Sequence, residues 1–294
     1  MVCQWNKVKL VPAVLSVLMM AAGANAATYN WAGNAGATLN WAVDANWVES
    51  GFPNAVGDVA IFGNVISEDT TVVLTQDITI GEIQFEESSN AYIIESGGAI
   101  AGGTPKLVFD NGGTDAIISG GAANTVAHLI NSPILHSCMR GVGAAATKLV
   151  TINGEITGGE VATLILPPEN LSTFELAGAN TFNGDVIVQG GSLELTGGSA
   201  IPDERSLHIE DSGTVSVTGA GTEDVHCLLL GGKAMPPGTY DAGNSDGFIT
   251  AGSIHSLSVC PAVSEWGLAV FCLAMMSIGT VLLRQRGTAT LRCG

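Results

Sequence analysis

Alternating apolar pairs separated by glycine corners constrain this chain more than any other feature. Phe174 and Leu176 alternate with polar neighbours, and so do Val186 and Val188, Leu193 and Leu195, Leu207 and Ile209, and Val215 and Val217. A side-chain period of two marks a strand with one buried face. Turn-forming clusters separate the pairs: Gly178-Ala179-Asn180, Asn183-Gly184, Gly190-Gly191, Gly197-Gly198, Ser212-Gly213 and Gly219-Ala220-Gly221. The pairs form two interleaved series. Phe174/Leu176 recurs at Leu193/Leu195 and Val215/Val217, in steps of 19 and 22, and Val186/Val188 recurs at Leu207/Ile209, a step of 21. Short strands returning about every twenty residues predict a β-solenoid, because one coil cannot bury its apolar face alone whereas stacked coils share a continuous core. Residues 72–85, 92–100, 107–118 and 149–156 fit the pattern more loosely. Residues 124–146 are the least regular and read as a loop or insertion with room for one short helix. The expected fold class is therefore all-β.

One unit is long enough to compare with a known repeat. The stretch from Leu176 through Gly178, Asn180-Thr181-Phe182, Gly184, Val186-Ile187-Val188 and Gly190-Gly191 to Leu193 resembles the autotransporter-associated β-strand repeat. That resemblance implies a single-stranded, right-handed parallel β-helix in a secreted or surface-displayed protein, and it implies no activity. The flanks are similar to those of proteins carrying this repeat. Tyr29-Asn30-Trp31, Asn40-Trp41, Ala45-Asn46-Trp47, Pro53-Asn54 and Gly57-Asp58 match an opening segment, and Leu228 to Tyr240 matches a closing one. We assign both to capping, since terminal coils expose strand edges that must be blunted. Coil ends left uncapped would stack.

The two ends of the chain read as addresses. Lys7 and Lys9 precede an apolar run from Leu10 to Ala22, and Ala24-Asn25-Ala26 is a small-x-small cleavage site, so the mature chain is expected to begin at Ala27. At the other end, Pro261-Ala262-Val263-Ser264-Glu265-Trp266-Gly267 precedes an uncharged apolar run to Leu283 and then Arg284-Gln285-Arg286. Residues 266–283 would form a helix about 27 Å long, just short of a hydrocarbon core of about 30 Å. The arginines favour a cytoplasmic tail, which places 27–260 outside the inner membrane. This layout resembles the C-terminal sorting signals of the PEP-CTERM class, nearest to the IPTL-CTERM variant that reads Ile-Pro-Thr-Leu-Ser-Glu-Trp-Gly. Pro261, Ser264, Glu265, Trp266 and Gly267 match it, Cys260 replaces the first Ile, and Ala262-Val263 replace Thr-Leu. The resemblance implies processing by a membrane-embedded, exosortase-like transpeptidase and a final place at the cell surface or outside the cell. The expected organisation is a signal peptide (1–26), an ectodomain (27–260), a sorting signal with a membrane helix at about 266–283 and an arginine stop (261–286), and a cytoplasmic tail (287–294). Signal peptidase and the sorting enzyme are the implied partners.

Between the two addresses lie 26 acidic residues and only five bases, Lys106, Arg140, Lys148, Arg205 and Lys233, a net charge of about −21. Such a surface repels nucleic acid and anionic lipid. Three cysteines fall in the ectodomain, Cys138, Cys227 and Cys260. An odd number at wide spacing implies no disulfide framework, although one bridge, Cys138–Cys227 for instance, fits an oxidising compartment.

No catalytic constellation stands out, and no enzyme, metal or cofactor is expected. Gly243-Asn244-Ser245-Asp246-Gly247 has the letters of a nucleophile elbow but lacks the strand-to-helix context. With Asp241, the same stretch misses calcium-loop spacing by a residue and reads as a polar turn. His128, His136, His208, His226 and His255 lack metal-ligand spacing and read as surface or strand-face residues. Glu86-Glu87, Asp203-Glu204 and Glu223-Asp224 are acid pairs of the kind a glycosidase uses, but neighbours on a strand point to opposite faces. Trp31, Trp41 and Trp47 could stack on sugars, and their crowding at the start of the mature chain fits a hydrophobic cap better. The first expectation is thus a structural or adhesive surface protein. The alternative is a carbohydrate-binding or carbohydrate-cleaving β-helix on the same anchor, facing a surface polysaccharide. A groove holding two convergent carboxylates with an Arg or Lys would favour the latter.

Overall fold

A computed structural model of the chain describes residues 26–33, 39–86, 89–122, 124–136, 138–158, 162–196, 198–219 and 221–260. Ala24, the sorting residues Pro261, Ser264, Glu265, Trp266, Gly267, Arg284 and Arg286, and the apolar runs at both ends lie outside the described residues. Among those described, no helix is long and apolar enough to cross a membrane.

The body is a parallel β-solenoid of about seven turns. An opening strand β1 (Thr28–Asn30) precedes the first coil, β2 (Val59–Phe62), β3 (Thr70–Leu74) and β4 (Ile78–Ile80). The second coil is β5 (Glu82–Phe85), β6 (Tyr92–Ser96) and β7 (Leu107–Phe109); the third is β8 (Ala116–Gly120), β9 (His128–Ile130) and β10 (Ile134–His136). The fourth is β11 (Met139–Gly143), β12 (Lys148–Ile152) and β13 (Ile156–Gly158), and the fifth holds β14 (Ala162–Leu166) and β15 (Thr173–Leu176). Long strands follow in the sixth and seventh coils, β16 (Asp185–Thr196), then β17 (Leu207–Thr218) with β18 (Thr222–Val225). A closing segment holds β19 (Leu228–Leu230), β20 (Lys233–Ala234), β21 (Gly238–Asp241), β22 (Ile249–Ala251) and β23 (Ser253–Ser256).

Stacking in register makes three faces. The first runs β1-β2-β5-β8-β11-β14-β16, and the second runs β3-β6-β9-β12-β15 and joins it at β16. The third begins β4-β7-β10-β13. Both interleaved sequence series are register columns. Phe174 pairs with Leu193 and Leu193 with Val215 on the second face; Val186 pairs with Leu207 and Val188 with Ile209 on the first. All of these side chains are buried. Each apolar pair thus sits on its own kind, and the core is one stack of apolar rungs.

Three expectations are corrected. Residues 124–146 are neither an insertion nor a helix: they carry β9, β10 and β11. The longer excursion lies instead between β6 and β7. Gly190-Gly191 and Ser212-Gly213 do not end strands, because β16 and β17 run through the corner from the first face to the second. Gly191 makes the bend at φ +65, a conformation that costs glycine little. A Cβ on Gly213 would lie 2.3 Å from the Val188 carbonyl oxygen of the coil beneath, so the corners also need glycine for close stacking. Finally, the disulfide joins Cys227 to Cys260, and Cys138 forms no disulfide among the described residues.

Both solenoid ends are covered rather than open to stacking. At the start, Trp31, Trp41 and Trp47 close over Phe62, with ring centroids 5.1–5.8 Å apart, and Phe62 stacks on Phe85 of the next coil. Trp41 Nε1–H donates to the Pro53 carbonyl at 2.9 Å and Trp47 Nε1–H to the Trp41 carbonyl at 2.8 Å. At the far end, β20 pairs antiparallel with β19, and β21 antiparallel with β23. The disulfide closes this cap, spanning 33 residues with its Cα atoms 5.0 Å apart. A crosslink over such a loop restricts the unfolded chain and contributes about 3 kcal/mol. We expect Cys260→Ser to lower the urea midpoint accordingly, and a reductant to produce the same shift in the wild type but none in the variant.

Candidate functional site

The densest set of charged side chains lies on the outer surface of the second face, where alternation sends every second residue outward. Glu175 of β15 and Glu194 of β16 are register partners, so two carboxylates stand on adjacent rungs. Like charges placed opposite each other destabilise a sheet. Lys148 of β12 resolves the conflict: its Nζ lies 2.8 Å from Glu175 Oε2 and 2.6 Å from Glu194 Oε2. Thr151 Oγ1–H donates to Glu175 Oε2 at 2.8 Å and Thr196 Oγ1–H to Glu175 Oε1 at 2.9 Å. Burial alone would raise the Glu175 pKa, but the hydrogen bonds from Lys148, Thr151 and Thr196 outweigh it and hold this carboxyl below its ordinary value. Desolvation pulls Lys148 down, and its two carboxylate partners raise it above its ordinary value.

This is the pairing of two carboxylates with a lysine that would favour carbohydrate chemistry, but it sits on a sheet face and its donors are turned inward on one another. A glycosidase acid must hold a proton at working pH, and Glu175 is held ionised. The arrangement neutralises stacked charge. Lys148→Ala should cost about 1 kcal/mol, and adding Glu194→Gln should recover most of it by removing the repulsion. A double-mutant cycle on the thermal midpoint reads both terms.

Neither of two surface depressions brings two carboxylates together with an Arg or Lys. One, of about 310 Å³, is lined by Gln189, Glu210, Asp211 and Ser212 with Gly231 and Gly232, and it has two carboxylates but no Arg or Lys. The other, of about 430 Å³, is lined by Val108, Phe109, Asp110, Leu135 and His136 and has one carboxylate.

The remaining candidate residues fall into place one by one. Ser245 is buried in the turn between β21 and β22, where its Oγ accepts the Ile249 N–H at 3.0 Å. Around it, Asp241 accepts the Gly243 N–H and Asn244 accepts the Asp241 N–H, which makes a polar turn. The three tryptophans are at most 4% exposed and offer no ring face to a sugar. Glu223 and Asp224 point to opposite faces of β18, as strand parity requires. Arg140 pairs with Glu169, Lys106 with Asp77, and Arg205 donates to the Asn183 carbonyl.

Sequence reasoning missed several buried ionisable groups, among them three with strongly shifted pKa values. His128 and His136 are not surface residues: both point into the core, and burial pushes each down to about 4. Glu223 is fully buried and pushed up to about 7 by desolvation, against hydrogen bonds from the Ile201 and Ala200 N–H groups. Parity could have found Glu223, since it stands two residues before the inward Val225.

No family model matches the chain, and no solved structure matches it. The chain is similar to the adhesin BmaC autotransporter of Brucella suis biovar 1 (strain 1330), with 31% identity over 179 residues. The match takes in 49% of this chain and 5% of that protein. This relative and the solenoid together fit the resemblance to autotransporter-associated β-repeat proteins.

Proposed function

We propose that this chain is an exported structural or adhesive β-solenoid displayed at the cell surface or released from it, with no catalysis of its own. The observation that carries the reading is the β-solenoid covered at both ends. Its stacked pair of outward carboxylates is bridged by Lys148, its tryptophans serve the core, and it is similar to part of an autotransporter adhesin. A net charge of about −21 between the two addresses keeps such a rod soluble and separated from its neighbours. In this reading, signal peptidase releases the chain at Ala27. The C-terminal segment then holds it in the inner membrane until an exosortase-like enzyme cuts near Ser264-Glu265-Trp266-Gly267.

Intact mass of the protein from fractionated native cells tests this. The expected product begins at Ala27, ends between residues 261 and 267, and lies outside the inner membrane. A product ending at Gly294 in the inner membrane would remove the sorting step. Hydrolysis of a surface polysaccharide by the purified protein, abolished by Glu175→Gln, would overturn the non-catalytic reading.

A further inference from the structure

We propose that Asp58 is a receptor for the new amino terminus created by signal cleavage, and that their ion pair locks the first coil. Asp58 is 4% exposed. Its Oδ1 accepts the Ala27 N–H at 3.0 Å and its Oδ2 accepts the Asn54 N–H at 3.0 Å. Among the described residues it makes no ion pair with a Lys, Arg or His. A buried carboxylate with only neutral donors lacks the counter-charge that burial ordinarily demands.

The position of Ala27 supplies one. Cleavage after Ala26 turns the Ala27 amide nitrogen, already within hydrogen-bond distance of this carboxylate, into an ammonium group. Hydrolysis adds water across the Ala26–Ala27 bond. The carboxylate leaves on Ala26 and the amine, protonated at neutral pH, stays on Ala27. The parallel strands fix the partners in place: Val59 N–H donates to the Ala27 carbonyl at 2.8 Å, and β1 runs beside β2 from that point. The Asp58 carbonyl also accepts the Gly81 and Glu82 N–H groups, so the pair ties β1, the 54–57 turn and the start of the second coil to one residue. Tyr29 and Glu49 are ionisable groups nearby: burial raises the Tyr29 pKa, and the charges of Asp58 and Glu49 add to the rise. Neither brings positive charge. Charge-assisted bonds to an ammonium exceed those to a neutral amide, so the first coil gains its full stability only once the leader has gone.

The inference rests on the export reading, and one preparation separates the two. Protein is isolated from the native envelope, its first residue is read by intact mass, and half is acetylated selectively at the α-amine. The same is done with Asp58→Asn. We expect a first residue of Ala27. Acetylation should lower the thermal midpoint by about 2–8 °C in the wild type and by much less in Asp58→Asn. The α-amine pKa, followed by isotope-labelled NMR, should lie above its ordinary range of about 7.7–8.0 and return to it in the variant. Equal effects of acetylation in both proteins, or an unshifted amine, would overturn the ion pair while leaving export intact. A chain that starts elsewhere overturns the cleavage premise and the pair with it. If Asp58→Asn fails to accumulate, the wild-type amine pKa alone decides.

Discussion

Phe174→Ala is expected to lower the free energy of unfolding by about 3–5 kcal/mol, the range for removing a fully buried phenyl ring. Phe174 sits at the centre of the second face, between Val150 and Leu193 in register, and no part of it reaches solvent. Its ring also occupies space across the coil. A Cβ built on Gly141 of β11 would lie 2.7 Å from Phe174 Cε1 and Cζ and 2.7 Å from Leu166 Cδ2. Gly141 is therefore glycine because Phe174 fills the inward position that β11 leaves empty. It follows that Gly141→Ala in the wild type is destabilising by overpacking, by about 1–3 kcal/mol, and that the two sites couple. In the Phe174→Ala background the added methyl enters the cavity, so the double variant should be more stable than the sum of single losses requires. Urea unfolding of the four proteins measures this. A coupling energy near zero would show that the ring and the glycine do not share space.

That pair also explains which parts of the fold could be read in advance. In the strands from Phe174 to Val217 the inward residues on either side of the glycine corners are Phe, Leu, Val and Ile, so period two is visible and the register columns follow from the spacing. Between 124 and 146 the same parity is carried by His128, Ile130, Ile134, His136, Met139, Gly141 and Gly143. Histidine reads as polar and glycine as a turn, so three strands passed for a loop. In space the assignments are ordinary. The His128 ring stacks on Phe85 with centroids 4.1 Å apart, and the glycines make room for Phe174, Leu166 and Ser172 of the next coil and for Leu149 of their own. The disulfide was hidden for a different reason. Cys227 and Cys260 meet because the closing segment makes one circuit, and the size of that circuit depends on the antiparallel excursion through β20 and β21, which has no counterpart in earlier coils. The Trp cap was legible because three large rings at a chain start have few other uses. The Lys148 network was not: Glu175 and Glu194 become partners only through a coil step of 19 residues, while Lys148 lies one rung before Glu175 and 27 residues earlier in the chain.

The second large effect is a pH profile governed by His128, His136 and Glu223. His128 Nδ1 accepts the Tyr92 backbone N–H at 3.1 Å, so that nitrogen carries no proton, and Nε2 faces Asn124 Oδ1 at 3.2 Å. Among the described residues, neither ring nitrogen of His136 has a hydrogen-bond partner. Burial holds both near 4, with Asp69 opposing it weakly at His128. For each, folding favours the neutral ring. The stability is present above an unfolded value of about 6.5 and is lost as pH falls through 4, up to about 3 kcal/mol per histidine at 1.36 kcal/mol per unit. Glu223 has the opposite sign. Desolvation raises it to about 7, with Asp203 and Asp224 adding to the rise, so its stability is present below about 4.5 and is lost as pH climbs through 7. Between pH 6.5 and 4 the folded glutamate keeps a proton that the unfolded chain takes up only near the end, which offsets part of the histidine loss. The wild type should therefore lose about 3 kcal/mol over that range from these three groups. Glu223→Gln should be more stable than the wild type at pH 8, where the buried anion is costly, yet should lose about 5 kcal/mol between pH 6.5 and 4 because the offset is gone. His136→Leu should leave the profile nearly flat over the same interval. Chemical unfolding of the three proteins at pH 8, 6.5, 5 and 4 measures these slopes, and parallel profiles for wild type and Glu223→Gln would place the titrating groups elsewhere.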